Sequence, residues 1–271
     1  NVDGYVTYGL SKNNLSSKTK NYSFAKGKPT VIELTNLQKS KTYYYQFVYK
    51  TVASTFTSST VNSFCTAKNN DEEFVFTIQA DSHLDENAST AIYENTLLNM
   101  VDEKPDFMID LGDTWMTDKF GSNYKNALSQ YIAQRYYFGI IGQTAPIFLT
   151  LGNHDGEAGN PSKKNNSDGI LDWSTQTRKF YYSNPYPNQF YSGNQQKDAQ
   201  GNYLENYYSF EWGNSLFIVL DPFRYTKSNK DAWQRTLGIE QYNWLKTTLE
   251  KSKAKFKFVF IHNLVGGQDN K

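Results

Sequence analysis

Residues 145–155 read A-P-I-F-L-T-L-G-N-H-D, an apolar run stopped abruptly by Gly152, Asn153, His154 and Asp155. The run predicts a buried strand, and the four small or polar residues that follow are poor at extending one. The same arrangement recurs on either side. F-V-F-T-I-Q-A-D-S-H ends at His83, D-F-M-I-D-L-G-D ends at Asp113, and K-F-K-F-V-F-I-H ends at His262. The chain has only three histidines, and each lies just beyond an apolar strand. Helical patterns separate these strands. Ile92, Tyr93, Leu97, Met100 and Val101 recur at helical spacing and stop before Pro105, Ser122 to Ile141 reads as a second helix with Leu128, Tyr131, Ile132 and Arg135 stacked in turn, and I-E-Q-Y-N-W-L-K-T-T-L-E-K as a third. Strands alternating with helices predict βαβ units and a mostly parallel sheet. In such sheets ligands bind beyond the carboxyl ends of the strands, which is where all three histidines fall.

Upstream the character differs. V-D-G-Y-V-T-Y-G, T-V-I-E-L-T-N, T-Y-Y-Y-Q-F-V-Y-K and S-T-V-N-S-F-C-T are short strand patterns with turn residues between them and no helical period. They predict a small antiparallel β-sandwich. Leu37 with Tyr43 and Tyr45 has the look of a tyrosine corner, although tyrosines also alternate along any half-buried strand. The polar stretch A-K-N-N-D-E-E marks the boundary, giving residues 1–68 as the first unit and 73–271 as the second. Within the second, residues 156–206 have little period and read as a functional lid or a disordered insertion, and Gly213-Asn214 joins two strands as a hairpin.

Composition removes several classes. With 28 basic and 27 acidic side chains the net charge is +1, which leaves no bulk positive charge for generic nucleic-acid binding. Apolar runs such as Leu216 to Leu220 are far shorter than the ~20 residues a membrane helix needs. Cys65 is the single cysteine, so neither an intrachain disulfide nor a thiolate metal cluster can form.

The polar residues at the strand ends form a metal-ligand set. Carboxylate, imidazole and amide oxygen suit Mn, Zn and Fe, and two such ions can share a carboxylate at about 3.5–4 Å separation. Gly112 and Gly152 make room, since a residue without Cβ lets backbone approach a crowded site. Taken singly, D-x-H is more often an exposed turn, and a lone strand-end histidine is more often a satisfied core residue. G-N-H-D after a hydrophobic strand favours function, and the four ends together make the bland reading a poor one.

The order D-x-H, G-D, G-N-H-D and a strand-terminal His resembles the calcineurin-like metallophosphoesterase superfamily. The upstream module makes it similar to the purple acid phosphatase branch, with its fibronectin type III-like domain. The resemblance implies an α/β (α+β) architecture, an αββα sandwich after the β-sandwich, hydrolysing phosphate esters with two metal ions, Fe, Mn or Zn. It implies Asp81 and His83 on the first ion, Asp113 bridging both, and Asn153 with His262 on the second. His154 then contacts the phosphate or protonates the leaving oxygen, with Asp155 orienting its ring. The implied partner is a phosphorylated small molecule, cleaved by attack of a metal-activated hydroxide and most simply a monoester. A phosphodiesterase acting on nucleotides or lipid head groups is the alternative, and so is a surface binding protein on a degenerate scaffold that uses the Tyr181 to Tyr191 segment. Fusion of these two modules implies export to the cell surface or beyond.

Two departures stand out. The purple branch carries D-x-G and G-D-x-x-Y, whereas here His83 follows Asp81 and Met116 holds the tyrosine position. The family's downstream G-H-x-H pair has no counterpart after His262. The expectation is that the natural chain continues past Lys271 and supplies it.

Overall fold

The structure is a computed structural model, and it describes residues 2–51, 54–159, 169–226 and 235–263. Six strands come first: β1 (Val2–Gly9), β2 (Ser17–Lys18), β3 (Tyr22–Phe24), β4 (Thr42–Thr51), β5 (Thr57–Ser58) and β6 (Asn62–Cys65). β1 and β4 pair antiparallel along their length, β2 and β3 share the outer edge of β1, and β5 and β6 share that of β4. All six therefore belong to one antiparallel sheet, and the second layer of a sandwich is not among the described residues. T-V-I-E-L-T-N forms no strand. Along β4, Tyr43, Tyr45, Phe47 and Tyr49 alternate onto one face, where Phe24 meets Phe47 edge-on at 5.3 Å and Phe47 stacks on Tyr49 at 5.2 Å. Tyr43 is buried, and its hydroxyl accepts a 2.9 Å hydrogen bond from the Gln38 N–H, tying the strand to the loop before it.

Two further sheets follow. β7 (Phe76–Gln79), β8 (Phe107–Asp110) and β9 (Ile147–Leu149) are parallel, with β8 central. β10 (Ser192–Gly193), β11 (Tyr208–Trp212), β12 (Ser215–Val219) and β13 (Phe256–Phe260) form the second sheet, with β11 and β12 joined by the expected hairpin at Gly213, whose φ of +59° suits glycine. An aromatic layer joins the two sheets: Phe107, Ile109 and Phe148 from one meet Phe210, Trp212, Phe217 and Phe260 from the other. Phe107 is fully buried within ring-contact distance of Phe148, Phe210, Trp212 and Phe217. Each such side chain stabilises the fold by about 1.5–3 kcal/mol through burial alone.

Helices cover the outer faces. α1 (Thr90–Asp102), capped by the Ser89 hydroxyl, and α2 (Leu128–Gly142) pack on the first sheet through Tyr93, Leu97, Tyr131, Phe138 and Ile141 against Met108 and Leu149. α4 (Gly238–Lys251) covers the second through Trp244, Leu245 and Leu249 against Leu216, Ile218 and Leu220. β12 thus serves both layers, with Leu216 and Ile218 toward α4 and Phe217 and Val219 toward the aromatic layer. None of the described helices is long and apolar enough to cross a membrane.

Three sequence expectations need correcting. The second helix starts at Leu128 rather than Ser122, after a kinked 3-10 segment over Thr117–Ala127. Its buried face runs through Gln130, Tyr131 and Gln134, while Ile132 stands exposed, because the glutamines are spent on hydrogen bonds: Gln130 accepts from the Met116 N–H and donates to Leu84 O, and Gln134 donates to Tyr93 Oη. Similarly Ile92, one of the apolar residues at helical spacing on α1, is exposed. The segment read as aperiodic, of which residues 160–168 lie outside the described residues, contains α3 (Ile170–Tyr181), which buries Ser174, Thr175, Thr177 and Arg178.

Candidate metal centre

The ends of β7, β8 and β9 are stitched together before any side chain is considered. Asp81 N–H donates to Gly112 O at 3.0 Å and His83 N–H to Asp113 O at 3.3 Å, so the loop after β7 rides on the loop after β8. The turn is tight: Asp81, His83, Gly112 and Asp113 all have positive φ, at +57°, +39°, +99° and +53°. For the three non-glycine residues this is a sparsely populated region costing on the order of 1–3 kcal/mol each, and it persists where surrounding structure enforces it. Gly112 and Gly152 pack backbone to backbone. A Cβ on Gly112 would lie 2.4 Å from Gly152 N, and one on Gly152 would lie 2.1 Å from Asp113 Oδ1. Neither position tolerates a side chain.

These turns bring side chains together from residues far apart in sequence. Asp81, His83 and Asp113 each offer a ligand atom within 4.8 Å of the others. His83 Nε2 lies 3.3 Å from Asp81 Oδ1 and 3.4 Å from Asp113 Oδ2. His262, at the end of β13, reaches the same Asp113 oxygen with its Nε2 at 3.4 Å, and its Nδ1 is fixed 2.8 Å from Leu111 O. Asp113 Oδ2 therefore faces two imidazoles, while its Oδ1 accepts from the His154 N–H at 2.8 Å. Burial alone would raise the Asp113 pKa, but the hydrogen bond and charge of His262 outweigh it and hold the carboxyl below its usual range. Conversely, burial would lower the His262 pKa, and the Asp113 carboxylate raises it instead.

Among the described residues His83 Nε2 is buried without a hydrogen-bond partner, although two carboxylate oxygens stand just beyond it. A buried polar nitrogen left in this way is costly, and a cation among the three groups would satisfy it. The donor set, two carboxylates with imidazoles, is of the kind that holds Mn, Zn or Fe. The residues present fit the metal that the sequence predicts.

The remaining predicted residues divide. Asn153 lies half-buried between Gly152, whose N–H donates to Asp155, and His154, whose N–H donates to Asp113. The ring of His154 stands 6.0 Å from that of His83, centroid to centroid. Its Nδ1 is 2.8 Å from Asp118 Oδ1, and that hydrogen bond is the main cause raising the His154 pKa. The carboxylate beside the ring is thus Asp118, not Asp155. Asp155 is fully buried and its oxygens are already spoken for, accepting from the N–H groups of Gly152 at 2.7 Å, Trp115 at 2.8 Å and Asp113 at 3.1 Å. It fastens the loop after β9 to the loop after β8. Sequence reasoning missed Asp118 because nothing in T-W-M-T-D distinguishes that acid from a helix-start residue.

Further along, Glu157 and Arg178 form a buried ion pair: Arg178 Nε donates to Oε1 at 2.6 Å and Nη2 to Oε2 at 3.1 Å, anchoring the end of the 152–159 loop on α3.

The chain resembles solved structures over most of its length. It is similar to purple acid phosphatase PPD1 from yellow lupin (Lupinus luteus) seeds, at 17% identity and a TM-score of 0.62, covering 95% of this chain and 45% of that one. It is similar to PhoD at 20% identity and a TM-score of 0.62, covering 95% of this chain and 55% of that one. The chain therefore spans about half the length of these two proteins, and at such identities they attest the fold. Among curated proteins, none matches. Residues 74–270, which carry every strand end described above, match the calcineurin-like phosphoesterase family, and the chain belongs to that family.

Proposed function

We propose that this chain is the core of a dinuclear metal-dependent phosphoesterase acting on phosphate monoesters. The observation that carries the reading is the shared Asp113 oxygen, faced at 3.4 Å by both His83 and His262, which come from different sheets. Asp81, His83 and Asp113 would hold one ion, and Asp113, Asn153 and His262 the other. Bound there, two cations supply Lewis-acid charge for the phosphoryl oxygens and lower the pKa of water. The chain's own residues do the rest. Asp118 on Nδ1 of His154 fixes the ring and favours its protonated form, which leaves Nε2 to donate to the leaving oxygen. Asp155 keeps the Asp113 and His154 loops in register through three backbone N–H groups. The reading keeps residues 1–68 as a separate fibronectin-like module and the whole as an exported protein.

The test uses the full-length product, loaded in turn with Mn, Zn and Fe and assayed on p-nitrophenyl phosphate beside its bis-ester. Faster turnover of the monoester supports the reading; activity on neither ester with both metals bound refutes it. His154→Ala is expected to retain metal, measured by elemental analysis, and to lose about 10²–10⁴-fold in kcat. Since Met116 replaces the tyrosine of the purple branch and its own N–H is committed to Gln130, the iron-loaded protein is expected to show no strong visible charge-transfer band. An absorption spectrum checks this directly.

A further inference from the structure

The near-zero net charge conceals a division. Residues 1–66 contain eight lysines, no arginine, and only Asp3 and Glu33 as acids, a net of +6. The rest of the chain has 20 basic and 25 acidic residues, a net of −5. Between Asp3 and Glu33 lie Lys12, Lys18, Lys20, Lys26 and Lys28 with no acid among them, and all five are exposed. Among the described residues the lysines that form ion pairs are Lys68, Lys119, Lys179 and Lys246; none of the eight N-terminal lysines pairs with a carboxylate. Asp3, the acid nearest to them in the sheet, accepts a hydrogen bond from Ser23 at 2.5 Å.

The placement of these charges identifies what they suit. β2 and β3, with the chain between them, form the outer edge of the sheet beside β1. Register puts Lys18 opposite Thr7, on the face that carries Tyr5, and its Nζ sits 3.6 Å from the Tyr5 ring centroid. Lys20 instead lies over Tyr22, which register places on the opposite face, at 5.3 Å. These two cations therefore stand on opposite faces of one edge, which no further strand pairs among the described residues. A planar bilayer meets a single face, whereas a linear polymer can follow an edge and touch both. We propose that the β2–β3 edge is a docking site for a linear polyanion, attracted by unpaired lysines held against aromatic rings. It is independent of the metal centre.

The experiment titrates the full-length protein with long-chain inorganic polyphosphate at 50 and 200 mM salt. Five phosphate contacts, by analogy with single-stranded nucleic acids, predict about a 10²-fold loss of affinity across that range. Lys18→Gln, Lys20→Gln and Lys28→Gln combined are expected to flatten the salt slope by more than half and weaken binding by at least about 10-fold at 50 mM salt. The matching triple at Lys251, Lys253 and Lys255 should leave binding unchanged, and so should Asp113→Asn. Equal weakening by the two lysine triples, loss of binding in Asp113→Asn, or binding to phosphatidylserine vesicles without binding to polyphosphate would each overturn the proposal.

Discussion

Asp113→Asn is expected to leave a folded chain that has lost both its metal and its turnover. Asparagine tolerates the positive φ that Asp113 adopts, so the backbone is not strained by the change. Its amide oxygen can still accept from the His154 N–H in place of Oδ1. What changes is the other atom. An uncharged NH₂ replaces the oxygen that faces His83 and His262, presenting a donor where a ligand charge is required. Loss of a charge that serves both ions removes several kcal/mol of transition-state stabilisation, and about 4 kcal/mol corresponds to roughly a 10³-fold fall in kcat/KM. The measurement pairs elemental analysis with p-nitrophenyl phosphate kinetics, and circular dichroism reports the fold. Full metal content with full activity would sink the assignment of Asp113 as the shared ligand.

The second large effect concerns stability. Arg178→Met leaves Glu157 buried and without its main cationic partner, the other donors to it among the described residues being the Thr175 hydroxyl at 2.8 Å and the more distant Arg224. Removing one member of such a pair costs about 3–5 kcal/mol, which lowers Tm by on the order of 10 °C in a chain of this size. Adding Glu157→Gln should recover only part of this, because Arg178 also donates to Leu204 O and Glu205 O, and those carbonyls stay unpaired. A thermal melt of the single and double variants decides it; a single variant within about 1 kcal/mol of the parent would show that water reaches Glu157.

What the sequence revealed and what it concealed follow from one distinction. Strand ends were readable because an apolar run broken by G-N-H-D or G-D changes character within one residue, and all three histidines stood at such breaks. β12 was readable for a related reason, since a strand buried on both faces is apolar throughout. Helices buried through hydrogen bonds gave no such signal. Arg178 and Thr175 hide α3 from any hydrophobic period, and Gln130 and Gln134 do the same on α2. At the site, proximity in sequence misled. Asp155 adjoins His154 in the chain, but its side chain turns into the fold to collect three N–H groups, while Asp118 arrives from the first turn of the 3-10 segment. The sandwich expected of residues 1–68 was inferred from strand count, and counting strands cannot tell one sheet from two.

The double duty of β12 restricts how this protein can vary over evolutionary time. Inserting or deleting a single residue within Ser215–Val219 would rotate every side chain beyond it to the opposite layer, sending phenylalanine toward α4 and isoleucine into the aromatic stack. Relatives that differ in length should therefore carry their gaps in the connections on either side, leaving the pleat of this one strand uninterrupted.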